Sequence, residues 1–281
     1  MSNNVFFFLF QRNLAEYYNA VGIQNMLIIF ASMLYERRII ITSKRLSRLS
    51  SCIQAANLLI YPMHWQHIFI PILPKALTDY LTAPMPFLIG VPTKIMESKV
   101  DQRDLGEVVI LDADNSVIKS PFTDLESLPF EVTNNLKRNL RDHRNLLGDS
   151  VARAFLQALV QLIGGYREAL KFPKGEKISF NEEAFIESRP PSMQPFLHEM
   201  LQLQIFQQFL EERLQMLNTG TGYSDEFELE AIRYQEKYGS SASSSSNNKL
   251  RAHAANVGSA VKREGGAMIK AVKSKVCVRK S

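Results

Sequence analysis

His64 and His67 flank Trp65 at a separation of three, which on a helix could bring two imidazoles to one metal ion. Pro62 lies just upstream and a β-branched run begins at Ile68, so a helix is not expected there. Both histidines are therefore read as core or interface residues, and no metal is expected. Asp112 and Asp114 could form a carboxylate pair for acid–base work. They sit in Asp112-Ala113-Asp114-Asn115, which is turn chemistry, and are read as solvated turn acids. Gly164-Gly165 could cradle a ligand, but it lies on a helical pattern and is read as a close helix contact. The sequence has no phosphate-binding loop, dinucleotide fingerprint, nucleophile elbow, zincin motif or paired CxxC. No covalent chemistry, catalytic residue or cofactor is expected.

The bulk of the chain sets wider bounds. It has 281 residues, 46% hydrophobic with 17 Phe and 9 Tyr, enough for one large domain or two smaller ones. Its two cysteines, Cys52 and Cys277, exclude a disulfide framework and favour a reducing cytosol. From Lys249 to Ser281 nine basic residues face one acid, a charge of +8, while the remainder carries 24 basic and 27 acidic residues, or −3. A basic tail on a mildly acidic body points to an anionic surface as the tail's partner. No apolar run approaches the ~18 residues needed to span a bilayer. Val5 to Phe10 is apolar but short, without a basic leader, and is read as a buried strand or a start foreign to the domain.

Those residues need elements to hold them. Ile23, Met26, Leu27, Phe30, Ala31 and Leu34 mark one face of an amphipathic helix. Arg37 to Thr42 then reads as a strand whose triple Ile is covered on both faces. A helix follows, with Leu49, Cys52, Ile53, Ala56 and Ile60 at helical spacing. Ile68–Leu73, Phe87–Val91 and Val108–Leu111 are three further apolar strands, and a short helix fits Leu77 to Leu81. Alternating helix and strand give an α/β fold with a short, mostly parallel sheet covered by helices. Beyond Leu111 the chain reads as an all-α extension. One helix face carries Leu128, Val132, Leu136 and Leu140; a second helix runs from Val151 through Tyr166 to Leu170; a third runs unbroken from Met193 to Leu217. Ser240 to Asn248 reads as a flexible linker.

Four blocks in this order are distinctive: Tyr35-Glu36-Arg37-Arg38-Ile39-Ile40-Ile41-Thr42-Ser43, Tyr61 to Pro71 (YPMHWQHIFIP), Ala83 to Gly90 (APMPFLIG) and Val108-Val109-Ile110-Leu111-Asp112. Together they resemble the central segment of DENN domains. Asn13 to Tyr17, Gly148 to Leu156 and Gly222 to Phe227 are similar to the connecdenn branch. The resemblance covers roughly Asn13 to Glu230. It divides the chain into a non-matching segment 1–12, a central α/β segment 13–120, a helical segment 121–238 and a linker with basic tail 239–281.

The resemblance implies a module in which a longin-like lobe precedes this α/β lobe. Such modules bind Rab-family GTPases and release their nucleotide by favouring the empty state. Residues 1–12 are too few to supply that lobe, so impaired exchange is expected. The alternative is a non-catalytic Rab- or membrane-binding fragment acting as adaptor or competitor. The resemblance also implies endocytic recycling, with a cytoplasmic location peripheral to endosomal or clathrin-coated vesicle membranes. Longer relatives bind clathrin adaptors through tail motifs, and none is seen here. Candidate Rab contacts are Tyr61, Trp65, Pro84, Met85 and Phe87, at strand ends where loops present side chains. For Trp65 and Phe87 a core role is the competing reading. Arg37 and Arg38, after a helix end, are expected to serve its dipole rather than a partner.

The tail carries the second expectation. On a helical wheel Leu250, Ala254, Val257, Val261, Gly265, Met268, Val272 and Val276 share one side, and much of the basic charge lies elsewhere, although Lys275 and Arg279 intrude. Lys262, Arg263, Lys270, Lys273, Lys275, Arg279 and Lys280 are the candidates for binding anionic membrane lipid, phosphoinositides included. A disordered, solvated tail is the alternative. Without interleaved aromatics no nucleic acid is expected as partner.

Overall fold

The computed structural model describes residues 2–101, 103–142, 148–173, 176–221 and 225–238. Side chains of residues 2–11, 99, 148 and 149 are outside this description. The chain divides into two compact units, one of residues 1–165 with 189–209 and one of residues 166–188 with 210 onward.

The first unit opens with helices α1 (Ser2–Val21) and α2 (Ile23–Leu34). The apolar run Val5 to Phe10 is thus helical, not a strand. Only the Gly22 break, at φ 76°, separates the two helices. Strand β1 (Arg38–Ser43), helix α3 (Leu46–Leu58), strand β2 (Ile68–Ile70), a 3-10 helix (Lys75–Thr82), strand β3 (Phe87–Pro92), helix α4 (Thr93–Lys99) and strand β4 (Val109–Asp112) follow in turn. These strands line up as β2-β3-β1-β4, all parallel, and β5 (Val117–Lys119) adds an antiparallel edge beside β4. The fold is α/β, as expected; the β5 hairpin is an addition, made by the turn that Asp112 to Ser116 closes.

The triple Ile of β1 is fully buried because the sheet is covered on both faces. Ile40, Phe87, Ile89 and Val91 pack with Leu73, Leu81, Met96, Leu105 and Val108. Alternation sends Ile39, Ile41, Leu88 and Gly90 the other way, where Ile53 of α3 approaches Gly90. Helix α2 packs on β1 and β4, and α3 on β1 and β3. Helices α5 (Asp124–Ser127), α6 (Phe130–Arg141) and α7 (Gly148–Ile163) complete this part, with Val132, Leu136 and Leu140 as the inner face of α6 and Phe155 of α7 edge-on to Phe30 at 5.0 Å.

The helix expected to reach Leu170 ends at Ile163. Gly164 to Arg167 tighten into a 3-10 turn, and Leu170 belongs to β6 (Leu170–Lys171), paired with β7 (Ser179–Phe180). Gly164 itself meets the Arg189 guanidinium and Val160, not a neighbouring helix backbone. Helix α8 (Glu182–Glu187) and a 3-10 turn (Pro191–Met193) precede α9 (Gln194–Met200) and α10 (Gln204–Asn218). The expected unbroken helix is therefore interrupted at Leu201–Leu203. In the second unit α11 (Glu226–Tyr238) starts at Asp225, whose carboxylate accepts the Glu228 N–H at 3.0 Å. Glu228 and Arg167 are both buried there, 3.2 Å apart, and the Tyr166 hydroxyl donates to Glu228. Arg213 pairs with Asp225.

Candidate functional site

Parallel pairing of Ile68 with Phe87 sets the approach to β2 (61–67) beside the approach to β3 (83–86). That register leaves Trp65, Pro84 and Met85 just ahead of two adjacent strands, while Tyr61 lies farther upstream, soon after α3. Tyr61 is 36% exposed, Met85 52%, Pro84 is exposed and Trp65 half-buried. Phe87 differs. It is fully buried, and its ring carries the Arg38 guanidinium at 5.2 Å, so it is a core residue. Phe69, Ile72, Leu77 and Tyr80 are further exposed apolar side chains in the same stretch of chain.

Polar contacts fix this rim from behind. The Trp65 indole N–H donates to the Ile68 carbonyl at 3.1 Å, and its ring meets His67 edge-on at 5.3 Å. His67 Nε2 contacts Glu36 Oε1 at 2.8 Å. Glu36 also accepts the Gln204 and Ile205 N–H groups, each at 3.0 Å, and so caps α10. It holds φ 51° immediately after α2. His64 is exposed and apart from this chain of contacts. Among the described residues no group of three His, Cys, Asp or Glu is placed to hold a metal.

The side chains of the arginines after α2 bond to other segments of the chain. Arg37 makes a fork to Asp124, with Nη2 at 2.7 Å, and stacks over Phe122 at 4.1 Å. Arg38 donates to the Leu105 and Leu81 carbonyls at 2.7 and 2.8 Å. Both tie distant loops to the sheet, which local sequence does not reveal. Cys52 is buried, and burial pushes its thiol up to about 12, so it is no nucleophile at neutral pH.

Asp112 and Asp114 take different roles. Asp112 closes its turn by accepting the backbone N–H groups of Asp114 and Asn115. Asp114 is no solvated turn acid: it accepts the Ser43 hydroxyl at 3.0 Å, the Lys44 N–H at 2.6 Å and Arg48 Nη1 at 3.0 Å. Burial opposes its charge, but the Lys44 N–H, the Ser43 hydroxyl and Arg48 outweigh burial and hold the carboxyl below its ordinary range. Asp114→Ala is expected to cost about 2–4 kcal/mol at neutral pH, by stranding those donors. The contribution is complete above the ordinary carboxyl range and lost as pH falls through the lowered pKa. Urea unfolding at pH 7 and pH 3 checks this: the gap between wild type and variant should be smaller in acid.

The seven basic tail candidates lie outside the described residues. Among the described residues no helix is long and apolar enough to cross a membrane.

The sequence that forms this helix-covered parallel sheet is similar to known proteins. The family model for the DENN (AEX-3) domain covers residues 7–116, and that for the dDENN domain residues 180–228. The chain belongs to the DENN domain family. DENN domain-containing protein 1B of Mus musculus is 50% identical over 219 residues, 78% of this chain and 28% of the relative. DENN domain-containing protein 1A of Xenopus laevis is 49% identical over the same share of this chain and 22% of its own length. DENN domain-containing protein 2A of Homo sapiens is more distant, 30% identical over 255 residues, 83% of this chain and 25% of the relative. The similarity is thus to the connecdenn branch within the family, and the chain spans 22–28% of these curated relatives.

Proposed function

We propose that this chain supplies part of a guanine-nucleotide exchange module for a Rab-family GTPase, acting by tighter binding to the nucleotide-free form. The exposed apolar rim from Tyr61 to Met85, on a domain of the DENN family, carries the reading. Exchange by this route needs no bond-making residue, because binding one state of the GTPase better than the other is sufficient. The connecdenn resemblance supports a recycling Rab at endosomal or clathrin-coated membranes, and the +8 tail supports added attraction to anionic lipid.

The full chain is expected to bind one member of a Rab panel at least ~10-fold more tightly nucleotide-free than GDP-loaded, a difference of ~1.4 kcal/mol. Met85→Glu, a change at an exposed side chain, should weaken that binding by a similar factor while leaving the melting temperature unchanged. Equal affinity for both forms, or none for either, would sink the reading. A second reading, a Rab- or membrane-binding chain that adapts or competes without exchange, is favoured by the +8 charge of residues 249–281. It predicts that binding persists while fluorescent-GDP release stays at the intrinsic rate.

A further inference from the structure

Arg38 opens β1 at the amino end of the sheet, in register with Phe87. Its guanidinium forks between two carbonyls far apart in sequence: Leu81, in the last turn of the 3-10 helix that leads to the rim, and Leu105, in the loop that leads to β4. The flat group also covers the Phe87 ring at 5.2 Å. Among the described residues no carboxylate lies within ion-pair distance of it, and its Nε is buried without a hydrogen-bond partner. A half-buried cation without a counter-charge is a costly element of a fold. Here its charge is spent on two short, charge-assisted hydrogen bonds to backbone.

The two segments also share apolar packing, since Leu81 and Leu105 belong to one core cluster, and the fork adds a tie between their backbones. A cleft of about 110 Å³ is lined by Thr78, Leu81 and Thr82 from one segment and by Asp101, Asp104 and Leu105 from the other. Arg38 spans the Leu81 and Leu105 carbonyls. The 3-10 helix is irregular as well, with Leu77 at non-helical φ −112°, ψ 23°. Its outer side chains, Leu77 and Tyr80, are exposed. The Leu81 side chain anchors its last turn in the core, and the Arg38 tie adds a backbone anchor just ahead of Pro84 and Met85.

We infer that Arg38 is a positioning residue for partner binding, holding the rim of residues 77–85 in the shape the GTPase meets. This rests on the proposed Rab reading. The planar fork is essential to it. A lysine ammonium is a single point on a flexible stem and cannot hold two diverging carbonyls in one geometry.

The test uses the full chain with Arg38→Met, Arg38→Lys and, as a control for general destabilisation, Val160→Ala in the core of α7. Amide exchange is followed at Leu77 and Ala83, whose N–H groups bond within the 3-10 segment, and along β1 and β3. Arg38→Met should raise exchange at Leu77 and Ala83 by about tenfold with the β1–β3 ladder unchanged. It should also weaken binding of nucleotide-free Rab by about tenfold, with Arg38→Lys falling between wild type and Met. Val160→Ala should lower the melting temperature and leave binding intact. Unchanged exchange at 77 and 83 in Arg38→Met overturns the inference, as does equal loss of binding in Val160→Ala. If the exchange pattern changes as expected but the wild-type chain binds no Rab, the positioning of the rim stands and the Rab reading alone falls.

Discussion

Gly90→Ala is expected to destabilise the sheet by about 3–5 kcal/mol. A methyl group at position 90 would lie 2.1 Å from the Pro71 carbonyl oxygen, 3.0 Å from its carbon and 3.1 Å from Ile53 Cγ1. The first two atoms are backbone, so no rotamer change relieves the clash. The chain leaving β2 must pass this close because Gly90 accepts the Leu73 N–H at 2.7 Å. Adding the methyl forces either that hydrogen bond or the β2–β3 pairing to give way. The chain's single tryptophan, Trp65, sits just before β2 and reports the region directly. Urea unfolding followed by its fluorescence should show a lowered midpoint. A midpoint equal to wild type would mean that the crossing of Pro71 over Gly90 is wrong.

The second large effect belongs to residues 166–238. Arg167→Met is expected to cost about 3–5 kcal/mol at neutral pH, the usual consequence of leaving one buried charge without its partner. Burial already raises the Glu228 carboxyl above its ordinary value, against the pull of Arg167, the Tyr166 hydroxyl and Arg213. Removing Arg167 leaves the burial penalty less opposed. A raised carboxyl favours the protonated folded state, so stability is greater in acid and declines as pH rises through the folded pKa. The cost of Arg167→Met should therefore be larger at pH 8 than at pH 5. Amide exchange along α11 at the two pH values measures it. Adding Glu228→Leu should restore much of the loss, because both charges are then gone. A pH-independent cost, or no rescue, would mean that Arg167 acts through packing alone.

Most of the fold was legible because apolar periodicity and strand composition report burial directly. The triple Ile of β1 reads as a strand covered twice, and it is. Helix α2 falls where its six apolar positions place it. The misreadings share a cause: periodicity counts side chains and does not see the backbone between them. Tyr166 and Leu170 continue the α7 spacing although the helix has already turned at Gly164. Leu201 and Leu203 carry the stripe across the break between α9 and α10. Strand β5 is three residues long and exposed on its first and last positions, too short for a pattern. At the rim, composition located the segments but not which side chains turn outward. Phe87 and Met85 are two residues apart, one in the core and one at the surface. The contacts that shape the rim cannot be read locally at all, since Arg38 reaches partners 43 and 67 residues away.

The Trp65 indole has one more consequence. Strand β2 is the last in its sheet, only three residues long, with no further strand beside it among the described residues. An open edge of that kind invites strands from other molecules to extend it. Here the Ile68 carbonyl is already occupied by the indole N–H, and so brief a ladder has few free groups left to template growth. The border of the sheet is therefore a poor seed for cross-molecular sheet polymerisation.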